Sequence, residues 1–468
     1  MERTAGAARV DRFYTAVRFI GRFWVWFFFK HVDVHHAERV PPCGPVLLCI
    51  NHPNNLIDSL LVGATLARKV HYLATAALFR NPLLARFLAA CGAIAVYRKQ
   101  DDPDSLDKNA GSFRACFDAL ARGAVIGIYP EGTTHSEARV QRIKTGAARI
   151  ALEYEARRAG MPGDALALIP VGLTFDARKS FRGHVRVAFG EPVAVAPYLA
   201  AYHEDPIPAV TALTSAIQWD MQAQVLHIER PDRVELVRAV EELYRSALAR
   251  ELQEERGLSA RAIDPLRISQ TIADAVAYFE AHQPARVEQL WREVERYRAL
   301  LAAYRVRDQA VRARLERGRE RRRLRRSWQA SLGLPVFVYG AAVNAPAYFL
   351  PRMLARRVAS KETDYATTRL LASVVAFPLF WGLETAIVWR LAGGGWAVAF
   401  AASLPLTGLL AYRYLGGARR LGSQMRFGLL SLTRRQAVSR LLATRETIIR
   451  LLDEAKTDYL AATRGSTF

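Results

Sequence analysis

Short apolar runs alternate with longer amphipathic stretches through residues 40–199. The runs Pro45–Ile50, Val70–Ala74, Ala93–Tyr97, Ala124–Tyr129, Leu166–Val171 and Val185–Phe189 are bounded by Pro, Gly or polar residues, as strands are. Between them lie helical stretches near Ser59–Arg68, Leu78–Ala90, Ser105–Ala121 and Thr145–Ala159. Helices of this length between strands predict an α/β layer, with a mixed, largely parallel sheet flanked by helices.

The flanking regions have other patterns. In residues 1–39 the run Phe19–Phe29 is dense in Phe and Trp, broken by Arg22 and closed by Lys30. It has no small-residue cleavage site and is shorter than the ~20 residues a membrane span needs, so neither a cleaved signal nor a span is expected. Its aromatics suit a helix lying in a lipid interface, the plainer reading being a buried core helix. Residues 200–328 are rich in Ala, Leu, Glu and Arg. The positions Leu290, Val294, Tyr297, Leu301, Tyr304, Asp308, Val311 and Leu315 step by four and three, a heptad seam with one polar interruption, long enough for a helical hairpin or coiled coil, and a coiled-coil-like helical insert is expected.

Three apolar blocks occupy the region 329–421. Residues 370–391 and 396–415, joined at Gly393-Gly394-Gly395, read as a transmembrane hairpin, with Glu384 inside the first span. Basic residues flank the blocks at Arg317–Arg326, Arg352–Lys361 and Arg419–Arg420. All three clusters stay on the cytoplasmic side if residues 332–350 re-enter or lie in the interface, which is the arrangement expected here. An amphipathic helix and tail, 422–468, close the chain. An integral membrane protein with its α/β core on the cytoplasmic face (the inner membrane if bacterial) is the resulting expectation.

Charge narrows the partners. Lys plus Arg number 66 against 44 Asp plus Glu, a net charge of +22 carried mostly by Arg. Such an excess implies a polyanionic partner, and because the Arg cluster abuts apolar spans, anionic membrane lipid is favoured over nucleic acid. The four cysteines lack CxxC spacing and read as buried thiols of a reducing compartment. The chain lacks GxxxxGK[ST], HExxH and GxSxG, which argues against a P-loop nucleotidase, a zinc protease and an α/β-hydrolase.

The candidate chemistry sits at strand ends. Asn51-His52-Pro53-Asn54-Asn55-Leu56-Ile57-Asp58 starts where one apolar strand stops and ends where a helix starts. His52 and Asp58 can meet only if the intervening residues form a loop and Asp58 lies in the first helical turn. Asp58 would then accept a hydrogen bond from Nδ1–H, fixing the tautomer that leaves Nε2 free as a base. A second strand ends in Pro130-Glu131-Gly132-Thr133-Thr134-His135, followed by Arg139, Arg142 and Lys144; a third ends in Arg98-Lys99. Backbone amides, hydroxyls and cations gathered at strand ends suit a small phosphorylated molecule. His135 is a rival base, but no Asp follows it at a comparable position.

Together these blocks resemble the glycerophosphate and lysophospholipid acyltransferases. The four ordered blocks are NHPNNLID, GAIAVYRK ending in Arg98-Lys99, YPEGTTHS, and the apolar strand Ile169-Pro170-Val171-Gly172. The resemblance implies transfer of a fatty acyl group from a thioester, on coenzyme A or an acyl-carrier protein, to a glycerol hydroxyl. It implies His52 as general base, Asp58 as its orienting partner, and Asn51 in the substrate site. It further implies Arg98 and Lys99 on the glycerol phosphate, and Glu131, Gly132 and Thr133 lining the acceptor site. No metal, no other cofactor and no covalent enzyme intermediate are implied.

Two departures stand out. Five residues separate His52 from Asp58 where four are commonest in the family, and Thr134 stands where a basic residue is frequent. Arg139 and Lys144 are the candidates to replace that cation. The longer spacing, with membrane helices after the core, resembles the branch acting on glycerol-3-phosphate or dihydroxyacetone phosphate. The runner-up acceptor is lysophosphatidate or another lysophospholipid. In a different class altogether, the chain would be an inactive membrane scaffold acting through its helical insert.

Overall fold

The computed structural model describes residues 11–97, 109–158, 164–176, 181–228, 230–257, 264–315 and 320–463, a few helical side chains excepted. They form two compact units. The first runs to residue 229 and takes in Leu354–Leu371, and the second comprises Arg230–Met353 and the chain from Ala372 onward.

The first unit starts with α1 (Arg12–Phe28) and β1 (Phe29–His35). It continues through β2 (Val46–Ile50), α2 (Leu56–Thr65), β3 (Val70–Thr75), α3 (Pro82–Cys91) and β4 (Ile94–Val96). Next come α4 (Asn109–Ala121), β5 (Val125–Ile128), α5 (Gly146–Arg158), β6 (Ala167–Phe175), β7 (Gly183–Phe189), α6 (Leu199–Glu204) and α7 (Pro206–Ala223). One seven-stranded sheet has the order β1-β7-β6-β2-β5-β3-β4. Every pairing is parallel except β6 with β7.

The central strand β2, Val-Leu-Leu-Cys-Ile, is buried throughout, as a parallel strand covered on both faces must be. Its residues alternate between two cores. Leu47 and Cys49 join Ile126, Ile128 and Leu168 beneath α4, α5 and α7, while Val46, Leu48 and Ile50 join Val62, Val125 and Ile169 on the α2 side. Cys116, in α4, belongs to the first core, where burial pushes its thiol up to about 12. Cys43, expected to be buried, is exposed.

Two features depart from the sequence expectations. β1 is a seventh strand, taken from a stretch assigned to the N-terminal helical region. Its Phe-Lys-His-Val-Asp-Val-His alternation is that of a half-exposed edge strand, masked by the aromatic run before it. The core extends past residue 199, because α7 packs on α5 and β6. Helix α1 buries one set of its side chains and exposes another. Tyr14, Trp24, Phe27 and Phe28 are buried, Gly21 lets Leu60 of α2 approach closely, and Phe19, Phe23 and Trp26 are exposed.

The second unit contains α8 (Val234–Arg256), α9 (Pro265–His282), α10 (Pro284–Ala303), α11 (Asp308–Leu315) and α15 (Arg435–Thr463), with α8, α9, α10 and α15 bundled together. The heptad seam does not form one helix. It breaks between α10 and α11, where Arg305 takes φ 51°. Asp308, the polar interruption, is buried and accepts hydrogen bonds from Tyr297 Oη and Arg445 Nε, each at 2.8 Å. That polar join lies inside a helical bundle, where the seam turns rather than running on as one helix.

Three long helices complete the chain, α12 (Glu320–Val358), α13 (Glu362–Ala392) and α14 (Gly394–Thr433). The last turns of α12 and the first turns of α13 belong to the first unit. Among the described residues three helices are long and apolar enough to cross a membrane, over Gly333–Val358, Glu362–Ala392 and Gly394–Leu415. Residues 332–350 lie within the unbroken α12 despite Pro335, Pro346 and Pro351. Buried Asn344 donates to Leu404 O at 3.3 Å and accepts from Trp381 Nε1 at 3.0 Å, a polar join of α12, α13 and α14. Glu384 Oε2 is buried without a hydrogen-bond partner.

Candidate active site

Sheet register builds the site. β2 and β5 run parallel with Cys49 opposite Ile128, so three further residues on each bring His52 and Glu131 together. The backbone N–H of His52 donates to Glu131 Oε1 at 3.0 Å. Asn51, at the strand end, spends its amide on β6. Its Nδ2 donates to Leu173 O at 3.1 Å and its Oδ1 accepts from Leu173 N at 2.7 Å. Expected in the substrate site, Asn51 instead locks the loop to the sheet.

Helix α2 starts at Leu56, which places Asp58 in its first turn. His52 Nδ1 and Asp58 Oδ2 lie 2.9 Å apart, and the same oxygen accepts the Asn54 N–H at 2.8 Å. Asp58 is wholly buried, while the imidazole keeps 16% of its surface exposed. Asn55, at the bend, has φ 51° and ψ −129°, a conformation that costs a non-glycine residue about 1–3 kcal/mol.

The imidazole stacks on Tyr129, with ring centroids 3.8 Å apart and planes inclined by 18°. Tyr129 Oη shares a hydrogen bond of 2.6 Å with Ser59 Oγ. Burial, aided by the negative charge of Asp58, pushes this phenol well above its usual range, so it is neutral wherever the protein is folded near neutral pH. Tyr129 escaped the sequence reading, although it immediately precedes Pro130 at the end of an identified strand.

Glu131 is a knot. Its carboxylate, fully buried, accepts the N–H of His52, the N–H of Gln141 at 2.8 Å and a close contact from His135 Nε2. His135 N also donates to His52 O at 3.4 Å. The rival base is thus a partner of Glu131 beside His52, with its buried Nδ1 lacking a hydrogen-bond partner. Gly132 has φ +70°, and a methyl group there would come within 2.6 Å of Lys144 Nζ. Thr133 Oγ1 turns back to Thr134 O at 3.5 Å, and Thr134 Oγ1 lies 3.4 Å from Thr363 Oγ1.

The two candidate cations separate. Arg139 is paired with Glu137 at 2.6 Å, whereas the exposed Lys144 holds its ammonium over the Gly132 turn. Arg98 and Lys99 lie outside the described residues. Among the described residues no group of three or more His, Cys, Asp or Glu could hold a metal ion. The arrangement offers one supported imidazole, a positive-φ glycine turn and a cation beside it.

The Acyltransferase family model matches residues 31–174. The chain is 29% identical over 143 residues to glycerol-3-phosphate O-acyltransferase 2 of Saccharomyces cerevisiae, covering 30% of this chain and 19% of the yeast protein. It is 25% identical over 184 residues to the 1-acyl-sn-glycerol-3-phosphate acyltransferase of Bacillus subtilis, covering 38% of this chain and 82% of that one. The crystal structure of the 1-acyl-sn-glycerophosphate (LPA) acyltransferase from Thermotoga maritima shares 18% identity over 43% of this chain and 80% of that one, with a TM-score of 0.31. The segment 31–174, which holds both loops of the site, is thus similar to the acyltransferase family.

Proposed function

We propose that the protein transfers a fatty acyl group from an acyl thioester, on coenzyme A or an acyl-carrier protein, to a hydroxyl of glycerol-3-phosphate or dihydroxyacetone phosphate in phospholipid synthesis. The observation carrying this reading is the His52–Asp58 pair at 2.9 Å on a strand-end loop tied to the Pro130–Thr133 turn through Glu131. Asp58 holds the Nδ1 proton, and Nε2 takes the proton of the acceptor hydroxyl as its oxygen attacks the thioester carbonyl. The thiolate leaves as a thiol once protonated, and the acceptor becomes an ester. A thioester is already activated, so positioning and a base suffice without a covalent enzyme intermediate. No metal or other cofactor enters this scheme.

Lys144, joined by Arg98 and Lys99, binds the acceptor phosphate. In this reading the core works at an anionic membrane surface on the cytoplasmic side, which the Arg-rich flanks of the apolar helices and the exposed aromatics of α1 support. A second acceptor, 1-acylglycerol-3-phosphate, is favoured by the match to 82% of the Bacillus subtilis protein. Membranes carrying the purified protein, given one labelled acyl thioester and a choice of glycerol-3-phosphate, dihydroxyacetone phosphate and lysophosphatidate, should label lysophosphatidate or its dihydroxyacetone counterpart. Label in phosphatidate alone would transfer the assignment to the second acceptor, and label in none would sink the reading.

Lys144→Ala should raise KM for the phosphorylated acceptor by about 10–100-fold, the worth of one charge-assisted hydrogen bond, with kcat changed far less. Arg139→Ala should do much less, because Glu137 already neutralises that guanidinium. Steady-state kinetics with acceptor varied at saturating thioester would reveal equal effects, which would contradict this assignment.

A further inference from the structure

The loop that sets His52 against Asp58 is held from more than 300 positions away in the chain. Asn55 Nδ2 donates to Asp364 Oδ1 at 3.0 Å, and Thr367 Oγ1 donates to the backbone carbonyl of Asn54 at 3.0 Å. Asp364 and Thr367 stand on successive turns at the start of α13, where Thr363 and Thr367 are buried against the first unit. The neighbouring Arg369 lies over the Phe181 ring, 5.7 Å from its centroid, so this stretch of helix is seated at several points.

Local sequence does not explain why this bend persists. Asn55 sits in the positive-φ region that favours glycine, and such strain survives only where surrounding contacts over-determine it. Within the loop, Asp58 N donates to Asn55 O at 3.1 Å and Asn54 N donates to Asp58 Oδ2 at 2.8 Å. The carboxylate that orients His52 is therefore positioned by the same two residues that α13 grips. A displaced Asn54–Asn55 bend would move Asp58 Oδ2 off His52 Nδ1.

We propose that Asp364 and Thr367 are positioning residues for acyl transfer, clamping the strained Asn54–Asn55 bend so that Asp58 stays aligned on His52. This rests on the acyltransferase reading of the site. Neither residue touches substrate in this scheme. Because the clamp is the start of a helix apolar enough to cross a membrane, it ties the loop geometry to the seating of that helix.

The test pairs disruptive with conservative variants in the full-length protein. Asp364→Ala and Thr367→Val each remove a bond, whereas Asp364→Asn and Thr367→Ser keep an oxygen acceptor and a hydroxyl donor in place. Asn55→Gly relieves the backbone strain yet loses the amide, so it should fold without difficulty. Hydrogen exchange followed by mass spectrometry should show faster exchange in the peptide spanning residues 51–58 for Asp364→Ala, Thr367→Val and Asn55→Gly, with the remaining core unchanged. The same three should lower kcat about 10-fold with KM little altered, and the conservative pair should match wild type.

Unchanged exchange in the 51–58 peptide overturns the clamp whether or not the protein transfers acyl groups. Faster exchange without any fall in kcat overturns the positioning role. If wild-type protein acylates no acceptor while the loop still loosens, the functional reading fails and the clamp stands.

Discussion

His52→Ala should lower kcat for acyl transfer by about 10²–10⁴-fold while leaving the protein folded and membrane-associated, because it removes the group that takes the acceptor proton. The buried carboxylate of Asp58 can only accept a hydrogen bond, so at 2.9 Å from Nδ1 it keeps the proton on Nδ1 and leaves the lone pair on Nε2. Asp58→Asn should be nearly as severe for a different reason. A carboxamide can present its N–H to Nδ1 and drive the proton onto Nε2, creating the tautomer that cannot act as a base. Tyr129→Phe is the useful contrast. Its phenol is raised by burial and stays neutral, so losing the hydroxyl should leave the pH–rate profile unchanged. Single-turnover measurements with the labelled thioester separate these outcomes from slow product release. A His52→Ala protein at wild-type rate would take the imidazole out of the reaction.

The pair was legible in the sequence because its ingredients are local. An apolar strand ends at Ile50, a helix begins at Leu56, and only a loop between them lets His52 and Asp58 meet six positions apart. The parallel sheet was legible for the same reason, each strand being marked by its own run and flanks. The missing pieces depend on long-range partners. Glu131 was expected to line the acceptor site, but its acceptors' work is done for N–H groups on separate segments, at His52 and Gln141. Asn51 was expected to meet substrate, yet β6 consumes its amide through Leu173, 122 positions later. Nothing near Asp364 or Thr367 announces that they reach Asn55 and Asn54. The turn in the heptad seam escaped notice for a different reason. Its periodicity is real on each side, but α10 ends before Asp308, which a buried Arg445 and Tyr297 claim.

Glu131→Ala should be the most damaging single change for stability at the site, costing about 2–5 kcal/mol. The truncation leaves two part-buried backbone N–H groups, of His52 and Gln141, without this acceptor, each worth about 1–3 kcal/mol. It also releases the ring of His135, which has only 9% of its side chain exposed and cannot easily recover a partner from solvent. For a unit of this size the loss corresponds to a fall in Tm of about 5–15 °C, readable by circular dichroism. Activity should fall with it even below Tm, since the N–H···Oε1 bond fixes the main chain that carries His52. Glu131→Gln tests whether shape alone suffices. One amide oxygen can still accept, but the NH₂ group must face a donor, so at least one of the three contacts turns repulsive. An intermediate loss in both Tm and kcat is therefore expected for Gln. Full retention of both in Glu131→Ala would mean that the sheet register, rather than this carboxylate, holds the two loops together.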